Sequence, residues 1–156
     1  MAGLYIHVPF CQKRCLYCDF YSNTDMGYQE AYLSALIREM ELRKNYLEGE
    51  TLETIYFGGG TPSQLSVENL NRIFEAIFRH FPVNQDMEIT LEANPDDMTP
   101  AYVAALRSLP VNRISMGVQS FDAADLKFLN RRHDREEALR AVRLCQEHNL
   151  YNISID

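Results

Sequence analysis

The chain has no apolar run long enough to cross a bilayer, and its N-terminal stretch Leu4 to Phe10 is short and broken by His7 and Pro9. No basic n-region precedes that stretch, so a secretory leader is not expected and the reading is a cytoplasmic, reducing compartment. Basic charge is also scarce: 15 Lys and Arg against 22 Asp and Glu leave a net charge of −7. That balance argues against a nucleic-acid partner, which asks for a basic face to neutralise phosphates. The one basic cluster, Arg131, Arg132 and His133 with Arg135, Arg140 and Arg143, is interleaved with Asp134, Glu136 and Glu137 and reads as a solvated helix face. Linkers rich in Pro, Gly or Ser are missing too, so the 156 residues read as one domain with the composition of a soluble globular protein.

What the chain does have is a repeating alternation of short strand-like runs and long amphipathic ones, the pattern of consecutive βα units and a parallel sheet. Strand one is Gly3 to Val8, and Tyr32, Leu33, Leu36, Ile37 and Met40 mark the first helix. Strand two, Thr54 to Phe57, leads into the turn Gly58-Gly59-Gly60-Thr61-Pro62 and a helix that Ser66 can cap. Strand three is Met87 to Ala93, with Thr99 as cap and Pro100 at the first position of its helix. Strand four is Arg113 to Gln119, followed by a short helix over Asp122 to Leu129 and a longer one from Asp134 to His148, where Glu137 stands at capping-box spacing. Strand five starts at Tyr151. The expected fold class is α/β, a partial (β/α) barrel of about four and a half βα units. A closed eight-fold barrel takes about 250 residues. A strand ending at Asp156 without a covering helix therefore reads as a C-terminally truncated chain, the N-terminal portion of a longer protein, with an exposed sheet edge.

Within the strands the two phases differ. One phase, with Leu4, Ile6, Val8, Ile89, Leu91, Ile114, Met116, Val118, Ile153 and Ile155, can pack on helices. The other reads Tyr5 and His7; Glu88, Thr90 and Glu92; Arg113, Ser115, Gly117 and Gln119; Asn152, Ser154 and Asp156. Unpaired buried polar groups are costly, so a polar face on a parallel sheet implies a purpose: in a curved sheet it lines a hydrophilic cavity. The unusual residues all fall where strands end, which is where βα barrels gather ligands.

The cysteines stand just beyond strand one, in Phe10-Cys11-Gln12-Lys13-Arg14-Cys15-Leu16-Tyr17-Cys18. Their three-then-two spacing suits a [4Fe–4S] cluster one thiolate short, whose unligated iron is free for a substrate or cofactor. Zinc is the alternative, although structural zinc sites usually show paired Cys-x-x-Cys knuckles. The remaining cysteine, Cys145, lies in a helical pattern and reads as a small apolar residue. Gly58-Gly59-Gly60 is either a flexible turn or a close backbone approach to a ligand, and it lacks the Gly-Lys-Ser/Thr ending of a phosphate loop. Glu92 is either a strand-end carboxylate paired with Arg113 or a partner for a ligand ammonium or ribose hydroxyl. Arg131 is either a surface residue or a fork for a ligand carboxylate. His7 and His133 read as structural.

Together these residues resemble the radical S-adenosylmethionine (SAM) superfamily, whose loop is Cys-x-x-x-Cys-x-aromatic-Cys, here with Tyr17 as the aromatic. Within it, Tyr5-Ile6-His7-Val8-Pro9-Phe10-Cys11, Tyr56-Phe57-Gly58-Gly59-Gly60-Thr61-Pro62-Ser63 and Ser115-Met116-Gly117-Val118-Gln119-Ser120-Phe121 are similar to the oxygen-independent coproporphyrinogen III oxidase family. The resemblance implies that Cys11, Cys15 and Cys18 hold a [4Fe–4S] cluster whose open iron is chelated by SAM. It also implies that Tyr5, Gly59, Gly60, Thr61, Glu92, Gln119, Arg131 and Asp156 contact SAM. The family reaction passes an electron into the sulfonium and releases a 5′-deoxyadenosyl radical. Oxidases of the family carry a further cysteine two positions after the third, where this chain has Phe20. With Asn130-Arg131-Arg132-His133, that departure resembles the heme-chaperone branch, HemW, and implies heme and apo-hemoproteins as partners of the full-length protein, beside an electron donor. The alternative is a true oxidase acting on a porphyrinogen. The branch's heme-binding signature lies further along such chains, and His148-Asn149-Leu150-Tyr151 bears only a superficial likeness to it.

Overall fold

The computed structural model describes residues 2–156. Five strands, β1 (Ala2–Val8), β2 (Leu52–Gly59), β3 (Val83–Ala93), β4 (Arg113–Met116) and β5 (Ile153–Ile155), pair in parallel in the order β1-β2-β3-β4-β5. Consecutive strands are neighbours throughout, so each crossover advances the sheet by one strand in one direction. That is the path of a barrel wall; a doubly wound sheet reverses its order. The connections carry α1 (Gln29–Leu42), α2 (Val67–His80), α3 (Pro100–Leu106), and then α4 (Ala123–Phe128) and α5 (Arg135–Glu147). Among the described residues no helix is long and apolar enough to cross a membrane.

Helices α2 to α5 begin where short polar side chains satisfy free N–H groups, while α1, with Tyr28 at its N-cap position, has no such bond. Ser66 Oγ accepts from Asn69 N at 3.1 Å and Thr99 Oγ1 from Tyr102 N at 3.2 Å, with Pro100 heading α3. At α5 the capping box is complete: Glu137 N donates to Asp134 Oδ1 at 2.8 Å and Asp134 N to Glu137 Oε2 at 2.9 Å. Helix α2 buries Leu70, Ile73, Phe74, Ala76 and Ile77, the spacing of one helical face, and sets Phe74 against Phe57 of β2 with ring centroids 5.2 Å apart. The apolar strand phase packs as expected: Ile6, Val8, Ile89, Leu91, Ile114, Met116 and Val118 are buried. Only towards the β5 edge does it fail, where Ile155 is 48% exposed. Cys145 is wholly buried on α5, and burial pushes its thiol up to about 11.

Element ends are corrected at the start of β3, which is Val83 rather than Met87, at the start of β5, which is Ile153 rather than Tyr151, and at two further ends beside the site. The ladder of β2 continues through Gly58 and Gly59, which pair with His7 and Val8, because a parallel ladder needs only backbone groups. Strand β4 stops at Met116, short of Gln119. Val118 N turns back to Met116 O and Ser120 N to Val118 O, and Gln119 takes φ +71°, which bends the chain out of the sheet.

The basic cluster is corrected as well. Arg131, Arg132 and His133 precede α5 and face inward, leaving only Arg135, Arg140 and Arg143 on the solvated helix face. Arg132 pairs with Asp96 Oδ2 and Asp97 Oδ1, each at 2.7 Å, with all three side chains largely buried. Asp97 Oδ2 also accepts from Ser63 Oγ at 2.6 Å. One ion-pair network thus ties together the loops that follow β2, β3 and β4.

Two substitutions test this framework by urea unfolding. Asp134→Ala removes the α5 cap and should cost about 1 kcal/mol. Asp97→Ala leaves the buried Arg132 short of a partner and should cost about 3 kcal/mol, consistent with breaking a buried pair.

Candidate functional site

The cysteine loop, residues 11–22, is closed at its neck. Cys11 N donates to Asn23 O at 3.0 Å and Asn23 N to Pro9 O at 2.6 Å. Beneath the neck Phe10 is buried edge-on against Tyr32, centroids 5.4 Å apart, while the Tyr32 hydroxyl donates to His7 O at 2.8 Å. The glycine segment lies directly alongside: Gly60 N donates to Val8 O at 2.8 Å and Thr61 N to Phe10 O at 2.7 Å. A Cβ at Gly60 would stand 2.8 Å from both of those carbonyl oxygens, and at Gly59, whose φ is +106°, 2.6 Å from the His7 ring. These two glycines are therefore required by packing against β1 and the loop entry, whatever they do for a ligand. On its far side the loop rests on the end of α4, where Leu16 N donates to Leu129 O at 3.3 Å and Asn130 Nδ2 to Arg14 O at 2.8 Å.

Between loop and sheet lies a cavity of about 170 Å³. Cys11, Cys15, Cys18, Gly59, Gly60, Thr61, Glu92, Gln119, Arg131 and Asp156 all line it. Tyr5 does not. It lies half-stacked on Tyr56, ring centroids 6.1 Å apart, with its hydroxyl 3.1 Å from His7 Nδ1, and it faces a neighbouring groove shared with Tyr32 and Leu36.

Glu92, on β3, is a carboxylate of the cavity lining, as is Asp156. Tyr56 Oη donates to its Oε1 at 2.7 Å and Gly59 N to its Oε2 at 3.2 Å. Arg113 is not its partner: that guanidinium donates to Thr90 Oγ1 at 3.2 Å and Ser154 Oγ at 3.0 Å, crosslinking β3, β4 and β5 on the polar face. Burial pushes the Glu92 carboxyl up, and nearby Asp156 adds to that push against the opposing bonds from Tyr56 and Gly59. Tyr56 is itself pushed up to about 12, first by burial and then by its bond to Glu92.

Arg131 crosses the cavity floor. Its Nη2 donates to Asn94 Oδ1 at 2.8 Å and to Gly117 O, and its Nη1 lies 3.3 Å from Cys15 Sγ. Its Nε is buried and has no hydrogen-bond partner. Thr61 Oγ1 donates to Cys11 Sγ at 3.4 Å. Gln119 reaches the wall from its left-handed backbone, with its N–H on Asp156 O at 2.7 Å. Non-glycine residues held in that region tend to sit at functional sites. His133 is structural: Nε2 donates to Val118 O at 3.0 Å, and burial followed by the Arg131 charge lowers its pKa. His7 donates from Nε2 to Tyr21 O at 3.0 Å, another internal tie.

One cavity residue, Asn94, and one residue that supports the cavity from outside its lining, Tyr56, escaped the sequence reading. Asn94 continues the polar phase Glu88, Thr90, Glu92 by one more step of two, so that period was the available signal. Tyr56 sits beside Tyr5 and Thr90 in the ladder, and its aromatic ring hid the hydroxyl that holds Glu92.

Among the described residues no three His, Cys, Asp or Glu side chains are gathered closely enough to hold a single metal ion. A zinc ion needs every thiolate within about 2.3 Å of one point. A four-iron cluster accepts each thiolate on a different iron, so three separate thiols lining one cavity suit it. The partnerless Arg131 Nε, with the Glu92 carboxylate lining the same cavity, suits a ligand carrying both an anionic and a cationic group.

Comparison with known proteins agrees with this geometry. The heme chaperone HemW of Escherichia coli (strain K12) is 37% identical over 156 residues, covering 99% of this chain and 41% of that protein. HemW of Lactococcus lactis subsp. lactis (strain IL1403) is 40% identical over 153 residues, covering 97% of this chain and 39% of that protein. The chain therefore spans about two fifths of the length of these curated relatives, at 41% and 39%. Among solved structures, coproporphyrinogen III oxidase (HemN) from Escherichia coli, described as a radical SAM enzyme, superposes with a TM-score of 0.91 at 31% identity, over 99% of this chain and 36% of that one. The family model of the Radical SAM superfamily matches residues 5–156. That match begins ahead of the cysteine loop and takes in the end of every strand that frames the cavity: the chain belongs to the Radical SAM superfamily.

Proposed function

We propose that this chain forms the radical SAM core of a HemW-like heme chaperone, with a [4Fe–4S] cluster on Cys11, Cys15 and Cys18 and SAM in the adjoining cavity. The observation that supports it most directly is that all three loop thiols, Glu92 and Arg131 line one cavity. When bound, the cluster and SAM together supply a one-electron reductive cleavage that yields a hydrogen-abstracting radical.

The chain's own residues bind and orient. Glu92, held by Tyr56 and Gly59, offers a carboxylate to the ammonium of SAM. Arg131 has its Nη groups engaged and keeps Nε for the carboxylate. Gly59, Gly60 and Thr61 bring backbone to the ligand, while Gln119 and Asp156 present an amide and a carboxylate to its hydroxyls. Tyr5 stands beside the cavity on the same sheet face and acts through its stack on Tyr56. The free thiols fit a reducing, cytoplasmic setting, with a low-potential electron donor and apo-hemoproteins as partners.

Heme handling is favoured over porphyrinogen oxidation by two observations. The identity to HemW relatives, 37% and 40%, exceeds the 31% to HemN. Phe20 lies on the cavity wall and is 64% exposed, at the position where the oxidases carry a further cysteine.

Three measurements check this reading. After anaerobic reconstitution, protein containing this chain should show a [4Fe–4S] spectrum that Cys15→Ala abolishes and Cys145→Ala leaves intact; colourless protein with stoichiometric zinc would overturn it. SAM affinity should fall about tenfold or more in Glu92→Gln, as for loss of a buried charged hydrogen bond. In the unsubstituted protein it should also fall as pH drops through the raised pKa of Glu92, because only the ionised carboxylate attracts the ammonium. The full-length protein should bind heme and form no protoporphyrinogen from coproporphyrinogen, SAM and a reductant; turnover would transfer it to the oxidase branch.

A further inference from the structure

Two of the three loop thiols accept hydrogen bonds from side chains that come from elsewhere in the fold. Thr61 Oγ1, in the loop after β2, donates to Cys11 Sγ at 3.4 Å in a buried contact. Arg131 Nη1, between α4 and α5, donates to Cys15 Sγ at 3.3 Å. Neither donor is free to wander. Thr61 is fixed by its N–H on Phe10 O at 2.7 Å, and Arg131 by its N–H on Leu126 O at 2.9 Å and by Nη2 on Asn94 Oδ1 at 2.8 Å. The Tyr17 hydroxyl stands 3.5 Å from the same Nη1, which crowds this corner of the loop with further polar hydrogen.

A thiolate on iron keeps lone pairs that accept hydrogen bonds, and such bonds withdraw electron density from the cluster. The reduced state, which carries one more negative charge, is stabilised more than the oxidised state, so the potential rises. Burial strengthens the effect, because the surrounding dielectric is low, and the fixed positive charge of Arg131 acts in the same direction. The proportions are favourable: the donors are set in place by bonds to other groups, so no ordering cost falls on the reduction step.

We infer that Thr61 and Arg131 are positioning residues that raise the reduction potential of the cluster through hydrogen bonds to the thiolates of Cys11 and Cys15. The step they govern is the transfer of one electron from a low-potential one-electron donor to the cluster, taking its core from 2+ to 1+, with no bond made or broken and no proton moved. This inference rests on the cluster reading and assigns these two residues a task separate from any contact with SAM.

The test is the midpoint potential of the reconstituted protein without SAM, followed by EPR of the reduced cluster with dithionite and redox mediators. Thr61→Val, which removes only the donor, should shift the midpoint to lower potential at unchanged iron content. Thr61→Ser, which keeps a hydroxyl, should restore it. Arg131→Lys retains the charge but loses the fork, and should also shift the midpoint down. Should Thr61→Val fail to take up iron, Arg131→Lys decides alone by the same criterion. Midpoints equal to that of the unsubstituted protein, with intact clusters, overturn the inference and leave the cluster reading standing. An unsubstituted protein that takes up no [4Fe–4S] cluster overturns both.

Discussion

Two backbone hydrogen bonds, from Gly60 N to Val8 O and from Thr61 N to Phe10 O, join the end of β2 to the start of the cysteine loop. Every other feature of the site is placed relative to that seam. It exists only because no side chain intervenes: a Cβ at Gly60 would meet the backbone carbonyl oxygens of Val8, at the end of β1, and Phe10, at the loop entry. With the seam closed, Phe10 is driven under the loop against Tyr32, and Cys11 emerges beside the Thr61 hydroxyl. The loop's far side rests on the end of α4, so the segment is held at its neck and at its middle without a strand or helix of its own.

The sheet supplies a second constraint. Its outer phase is buried under helices, while its inner phase is polar and satisfied internally. Arg113 links Thr90 to Ser154, Ser154 links to Ser115, and Tyr56 serves Glu92. Buried polar groups that lack partners cost several kcal/mol in aggregate, at about 1–3 kcal/mol each, so such a face persists only as a connected network. Glu92 shows how the network doubles as function. The same burial that raises its pKa strengthens its attraction for a cation arriving from the cavity.

The loops that follow the strands are not independent either. Asp97 holds Ser63 and Arg132 together, so that the loops after β2, β3 and β4 move as one piece. Arg131 adjoins that ion pair in sequence and turns the opposite way, into the cavity, where it spans Asn94, Gly117 and Cys15. A pair of adjacent arginines thus splits between a structural clamp and the site itself, a division that depends on which acceptors the fold brings to each.

Periodicity and spacing were enough, in the sequence by itself, to determine the βα alternation, the caps at Ser66, Thr99 and Asp134, the polar inner phase and the three-cysteine loop. Each of these is a local property, written in neighbours a few residues apart. Tertiary structure decided the rest. It set Tyr56 rather than Arg113 on Glu92, drew Arg131 and Arg132 inward, and carried β2 through two glycines. It also bent the chain away from β4 at Gln119 and left Tyr5 beside the cavity rather than in its lining. Those outcomes turn on contacts between residues 30 to more than 100 positions apart, such as Tyr56 with Glu92 at 36 and Cys15 with Arg131 at 116. Packing against partners that distant is invisible to any local pattern, because which acceptor a guanidinium or hydroxyl reaches depends on strand register and loop closure together.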